Sequence, residues 1–258
     1  MANTIFMIHG MWGSPWYWEN FRQVFEAKGY RCIATTLPYH DMNPQDAPDP
    51  RLGKSSLLDY VDALEKEIRQ LDEKPIILGH SMGGLLAQML GARGLAKKLV
   101  LLAPVAPAGI LSITPSLIRS SLSIHSTWGF WKKPMRLTFA EASYAILHQL
   151  PQNEQKETYS KFVYESGKAA CEVFYWFFDS HGAARVDESR VTCPMLVIAG
   201  GKDRGAPASI VRRIAKKYQA VSTYKEFENH SHWLMAEAQW REVAEYIVGW
   251  LESPKKQR

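Results

Sequence analysis

The sequence predicts an α/β fold: a mostly parallel sheet of about six strands, flanked by helices and interrupted by a helical insertion. Three observations predict it. Short apolar runs of strand length alternate with amphipathic helical patterns over residues 1–108. The alternation stops over 109–185, where helical spacing and many aromatic residues remain. It resumes over 186–258. Strands joined through helices run parallel and are covered on both faces, so they read as near-continuous apolar runs. The expected organisation is a core of 1–108 and 186–258 with 109–185 as a cap inserted into it.

Each element has its own signal. Thr4 to His9 (TIFMIH) is a β-rich run that stops at Gly10. Pro15 to Lys28 places Trp18, Phe21 and Phe25 at helical steps and stops at Gly29. Tyr30 to Leu37 reads as a second strand, and Pro38 to Gly53 as a Pro/Asp-rich loop. Ser56 to Leu71 carries Leu57, Tyr60, Val61, Leu64 and Ile68 on one side of a helix. Pro75 to Leu78 is a brief apolar run, followed by GHSMGG, the helical LLAQMLGAR and the strand-like Leu99 to Ala103. After the insertion come a strand at Met195 to Ala199, a helix at Ala208 to Lys217, a strand at Ser222 to Phe227 and a closing helix at Glu237 to Leu251.

Composition excludes several function classes. The 258 residues are 46% apolar and 22% charged, as in an ordinary globular protein. The net charge of +5 is spread along the chain, apart from a short tail at Lys255, Lys256 and Arg258. A nucleic-acid binder concentrates its basic residues on one face, so no nucleic-acid partner is expected. Cys32, Cys171 and Cys193 are too few and too scattered for a disulfide framework, and free thiols in a reducing cytoplasm are expected. The first ten residues lack the basic start of a signal peptide, and no apolar stretch reaches the ~20 residues of a membrane span. No stable membrane insertion, no metal and no cofactor are expected, and the oligomeric state is left open.

The chemistry centres on Gly79-His80-Ser81-Met82-Gly83, a G-x-S-x-G pattern between an apolar strand and an amphipathic helix. A sharp strand-to-helix turn pushes the serine hydroxyl out above the sheet, and near-absent side chains two residues away on either side leave room for it. The amide of Met82, opening the helix, then points towards a developing negative charge. Serine needs a base to take its proton. His230 and His232 follow the last strand, at the carboxyl edge where a parallel sheet presents its functional loops. Asp203 follows the strand MLVIA at the same edge and is placed to orient an imidazole.

These features resemble the α/β-hydrolase fold superfamily over nearly the whole chain. The marks are His9-Gly10-Met11-Trp12 after the first strand, the GHSMGG elbow, GGKDR around Asp203, and HSHWLMAE near the end. The resemblance implies a serine hydrolase of the esterase or lipase kind, with Ser81, Asp203 and His232 as its triad. His232 is favoured over His230 because it stands five residues before Glu237, the acidic residue expected to open the final helix. The resemblance also implies that the Met11 amide joins that of Met82 in an oxyanion hole. Trp12 and Trp131 are expected to contact a small-molecule ester with an apolar acyl or alcohol group. Two alternatives stand beside this: the same triad applied to carbon–carbon, lactone or thioester hydrolysis, perhydrolysis or lyase chemistry, and a non-catalytic ligand-binding protein on the same fold.

Overall fold

A computed structural model describes residues 3–253; the basic tail at Lys255, Lys256 and Arg258 lies outside the described residues. The chain runs β1 (Thr4–Ile8), α1 (Glu19–Ala27), β2 (Arg31–Ala34), α2 (Leu57–Ile68), β3 (Ile76–His80), α3 (Met82–Ala92) and β4 (Lys98–Leu102). Residues 109–185 then carry α4 (Pro115–Ser120), α5 (Leu122–Ser126), β5 (Pro134–Met135), α6 (Phe139–Ala145), α7 (Gln152–Ser160), β6 (Glu165–Ser166) and α8 (Gly167–Phe174). The chain closes with β7 (Met195–Gly200), α9 (Ala208–Lys217), β8 (Ser222–Phe227) and α10 (Trp240–Glu252).

Six strands form one parallel sheet in the order β2-β1-β3-β4-β7-β8, as the alternation predicts. The inner strands β1, β3 and β7 are buried throughout, which is why TIFMI, IILGH and MLVIAG carry no charge. The edge strands β2 and β8 are partly exposed and accordingly contain Arg31, Lys225 and Glu226. Helix α3, expected to be amphipathic, is instead buried on nearly every side, Gln88 included, because it packs against β1, β3, β4 and α2. Helix α2 starts where its sequence says. Leu58 N donates to the Ser56 hydroxyl (3.2 Å), and Ser56 N donates to the Asp59 carboxylate (2.8 Å), a reciprocal cap.

Three local differences from the sequence reading stand out. The segment from Pro15 begins as a 3-10 turn, Pro15–Trp18, before α1 starts at Glu19. Residues 109–185 contain, besides helices, a two-residue antiparallel ladder between β5 and β6, too short to leave any periodicity in the sequence. The last helix starts at Trp240, not at Glu237. The Glu237 carboxylate is turned back onto Ser231, so this residue belongs to the preceding turn.

Two buried carboxylates tie 109–185 to the core. Glu165 of β6 accepts from the Tyr60 hydroxyl (2.8 Å) and lies 3.2 Å from His40 Nε2. Glu172 of α8 accepts from the Ser56 hydroxyl and from the Leu57 amide (2.8 Å) at the start of α2. His40 Nδ1 sits 3.0 Å from the Pro38 carbonyl, which can only accept, so both ring nitrogens carry protons and the ring is an imidazolium. Burial alone would lower the His40 pKa; the charge and hydrogen bond of Glu165 outweigh it and leave the value raised.

Candidate active site

The carboxyl ends of β1, β3, β7 and β8 meet at one edge of the sheet, and the predicted residues arrive there from four directions. Ser81 follows β3 directly and has φ +53°, a left-handed conformation unusual for a residue with a side chain. Tight packing enforces it. A side chain at Gly83 would place its first carbon 2.2 Å from the Ile8 carbonyl oxygen, so only glycine lets α3 begin so close to β1. Gly10 plays the same part opposite: a Cβ there would lie 2.9 Å from that of Ser81. The loop after β1 therefore lies directly against the elbow.

His232 and Asp203 come together: His232 Nδ1 lies 2.8 Å from Asp203 Oδ2. Asp203 is buried, and its other oxygen accepts from the amides of Gly205 and Ala206, both at 2.7 Å. The carboxylate is thus held at both ends. Gly205 packs against the His232 ring, with space for no more than a Cβ 3.3 Å from it. The Ser81 side chain is only partly buried, and its hydroxyl makes no hydrogen bond to another described residue.

Two amides near the serine are unspoken for. Among the described residues, neither Met82 N nor Met11 N donates a backbone hydrogen bond. The loop bearing Met11 is fixed from three sides. Gly13 N donates to Gly10 O (3.2 Å), the Tyr17 hydroxyl to Met11 O (3.2 Å), and Val163 N to Trp12 O (3.0 Å). The last bond ties the loop to residues 109–185. Trp12 itself has φ +61° and is buried with its indole N–H unpartnered. Trp131 stacks against Trp128 and Phe130 within 109–185.

Sequence reasoning missed the groups that hold His232 in place. His80, inside the elbow, donates from Nε2 to the His232 carbonyl (2.9 Å), and its ring lies 4.7 Å from that of His232. Burial, then the nearby His232, keep the His80 pKa well below the ordinary histidine value, so it is a neutral donor. The Glu237 carboxylate accepts from Ser231 N (2.9 Å) and from the Ser231 hydroxyl. Burial works against its charge, but His230 and the Ser231 hydrogen bonds outweigh that and lower its pKa. His230 lies 3.3 Å from Glu237, yet neither of its ring nitrogens makes a hydrogen bond. The five-residue spacing of His232 and Glu237 was the available signal, but it was read as a helix start.

A cavity of about 310 Å³ opens beside this edge, lined by Val105, Gly205 and Ala206 on one side and by Leu117, Val173 and Trp176 of residues 109–185 on the other. Val105 N donates to the Ser81 carbonyl (2.9 Å), so one wall of the cavity is the residue clamped to the Ser81 backbone. Ser81, His232, Trp12 and Trp131 are not among its lining residues.

A profile of the Alpha/beta hydrolase family matches residues 5–246. No curated protein matches the chain. Among solved structures, polyneuridine aldehyde esterase is 17% identical with a TM-score of 0.73, covering 98% of this chain and 100% of its own. The Paleococcus ferrophilus monoacylglycerol lipase is 19% identical with a TM-score of 0.68, over 97% of this chain and 96% of its own. A pyrethroid hydrolase from Sphingobium faniae is 18% identical with a TM-score of 0.73, over 98% of this chain and 99% of its own. At these identities the likeness is one of fold.

Proposed function

The chain belongs to the alpha/beta hydrolase family, and from that premise we propose that it is a serine hydrolase cleaving carboxylic esters through an acyl-enzyme on Ser81. What supports the reading above all is the Asp203–His232 pair at 2.8 Å, delivered to the same sheet edge as a serine on a left-handed turn. In the proposed mechanism His232 takes the Ser81 proton as its oxygen attacks the ester carbonyl. The Met82 and Met11 amides donate to the developing oxyanion, a contribution of about 3–4 kcal/mol for each donor in comparable sites. The alcohol leaves with a proton from His232, and water, activated by the same imidazole, releases the acid.

Residues 109–185 act as a cap in this reading, and the cavity beneath them receives the apolar part of the ester. Trp12 contributes at the oxyanion loop, where its backbone carbonyl is bonded to the cap. The substrate is a small molecule. No helix among the described residues is long and apolar enough to cross a membrane.

The experiment is Ser81→Ala, assayed with p-nitrophenyl esters and with a fluorophosphonate that labels active serines. The variant should keep its thermal unfolding midpoint, lose ester turnover and lose labelling. Turnover that survives the substitution would refute Ser81 as the nucleophile.

A further inference from the structure

The cavity is not uniformly apolar. His125 of α5 and Tyr175, just after α8, both line it, and they are joined: Tyr175 Oη lies 2.9 Å from His125 Nδ1. His125 Nε2 in turn lies 2.9 Å from the Ser121 hydroxyl, which reaches the Leu117 carbonyl at 3.1 Å. The protons of this relay can be placed by elimination. In the arrangement that pairs every donor, the Ser121 hydroxyl donates to Leu117 O, which also accepts from the Ser120 hydroxyl (2.7 Å). Nε2 of His125 then carries the ring proton and donates to Ser121, and Nδ1 accepts from the Tyr175 hydroxyl. In this arrangement every donor of the relay has an acceptor. Burial lowers the His125 pKa, in keeping with a neutral ring that has one donor and one acceptor.

One valence of the relay stays open: the lone pairs of the Tyr175 oxygen. One other side chain can accept: the Ser112 hydroxyl donates to the Ile110 carbonyl (3.2 Å) but keeps its own lone pairs, whereas the Trp176 indole can only donate. The other lining side chains are hydrocarbon. The relay thus presents one of only two side-chain acceptors in a largely apolar cavity, and a donor buried there away from both would be left unpaired.

Resting on the serine hydrolase reading above, we propose that the cavity selects substrates whose apolar portion carries a hydroxyl group, which donates a hydrogen bond to the Tyr175 oxygen. Tyr175 is then a specificity-determining residue, with His125 and Ser121 positioning its hydroxyl. A purely structural relay, tying α5 to the segment after α8, would make no distinction between a ligand with a donor and one without.

The test uses two ligands of equal size, 1-heptanol and hexyl methyl ether, of which only the alcohol donates. Each is titrated into the full chain and its dissociation constant read from tryptophan fluorescence. The wild type should bind the alcohol roughly five- to tenfold more tightly, the worth of one hydrogen bond in such a site. Tyr175→Phe should lose most of that preference. Equal binding in the wild type, no binding of either ligand, or a preference unchanged in Tyr175→Phe would each overturn the proposal. The wild-type comparison needs no variant to fold. Hydrolysis of p-nitrophenyl butyrate, followed on the same preparations, separates the two ideas. Turnover without an alcohol preference sinks the specificity assignment alone. A Tyr175-dependent preference without turnover leaves it standing and removes the ester reading.

Discussion

Replacing Asp203 by asparagine tests the proposed triad through proton bookkeeping that the structure makes unambiguous. Asp203 Oδ1 accepts two amides, from Gly205 and Ala206, each at 2.7 Å. In Asp203→Asn the side-chain oxygen must stay there, because an NH2 group facing two N–H donors would leave all of them unpaired and buried. The new NH2 is therefore forced into the place of Oδ2, 2.8 Å from His232 Nδ1. It can only donate, so Nδ1 becomes the acceptor and the ring proton moves to Nε2. That tautomer has no lone pair with which to take the serine proton. In serine proteases with the same triad this wrong-tautomer change lowers kcat by about 10⁴-fold, a barrier increase of about 5 kcal/mol. The assay is kcat for p-nitrophenyl butyrate at pH 7–8, with the thermal unfolding midpoint measured alongside. Both amides keep their acceptor, so the midpoint should move little. A folded variant with kcat within tenfold of wild type would refute the reasoning, because the imidazole would then not depend on Asp203 for its tautomer.

Other consequences follow from the buried carboxylates. Glu237→Ala strips the acceptor from Ser231 N in a buried turn and should cost about 1–3 kcal/mol by urea unfolding at pH 7. The Glu237 pKa is lowered in the folded protein, so its stabilisation is present above the ordinary carboxylate range and lost as pH falls through the folded value. The gap between wild type and variant should accordingly close in acid; a gap that widens would contradict the assignment. His40→Ala leaves Glu165 buried without its imidazolium and should cost about 3–5 kcal/mol near pH 6. Here the sign is opposite. The His40 pKa is raised, so its contribution is full below the ordinary histidine value and is lost as pH rises through the folded one. Urea midpoints of the two proteins should approach each other towards alkaline pH, and a constant difference across that range would argue against the pair.

Much of the site was legible because its parts are local. The elbow needs a strand, two small residues and a helix within about ten positions, and GHSMGG between IIL and LLAQML supplies them in a row. The helix α9 and the strand β8 matched their expected bounds, since each has an unmixed period and clear flanking breakers. Asp203 was singled out because it lies just past a strand end, a position that the alternation fixes.

By itself, then, the sequence determined the layered α/β order, the six-strand sheet and the elbow serine, because each rests on periodicity or on steric demands between near neighbours. Only the tertiary structure decided that Glu237 turns back onto Ser231, that His80 holds the His232 carbonyl, and that Glu165 and Glu172 fasten 109–185 to the loop and helix of residues 38–60. The physical reason is reach. All but the first of these contacts join positions a hundred or more residues apart, and a buried carboxylate chooses whichever donors folding brings to it. No period or spacing in the chain records that choice.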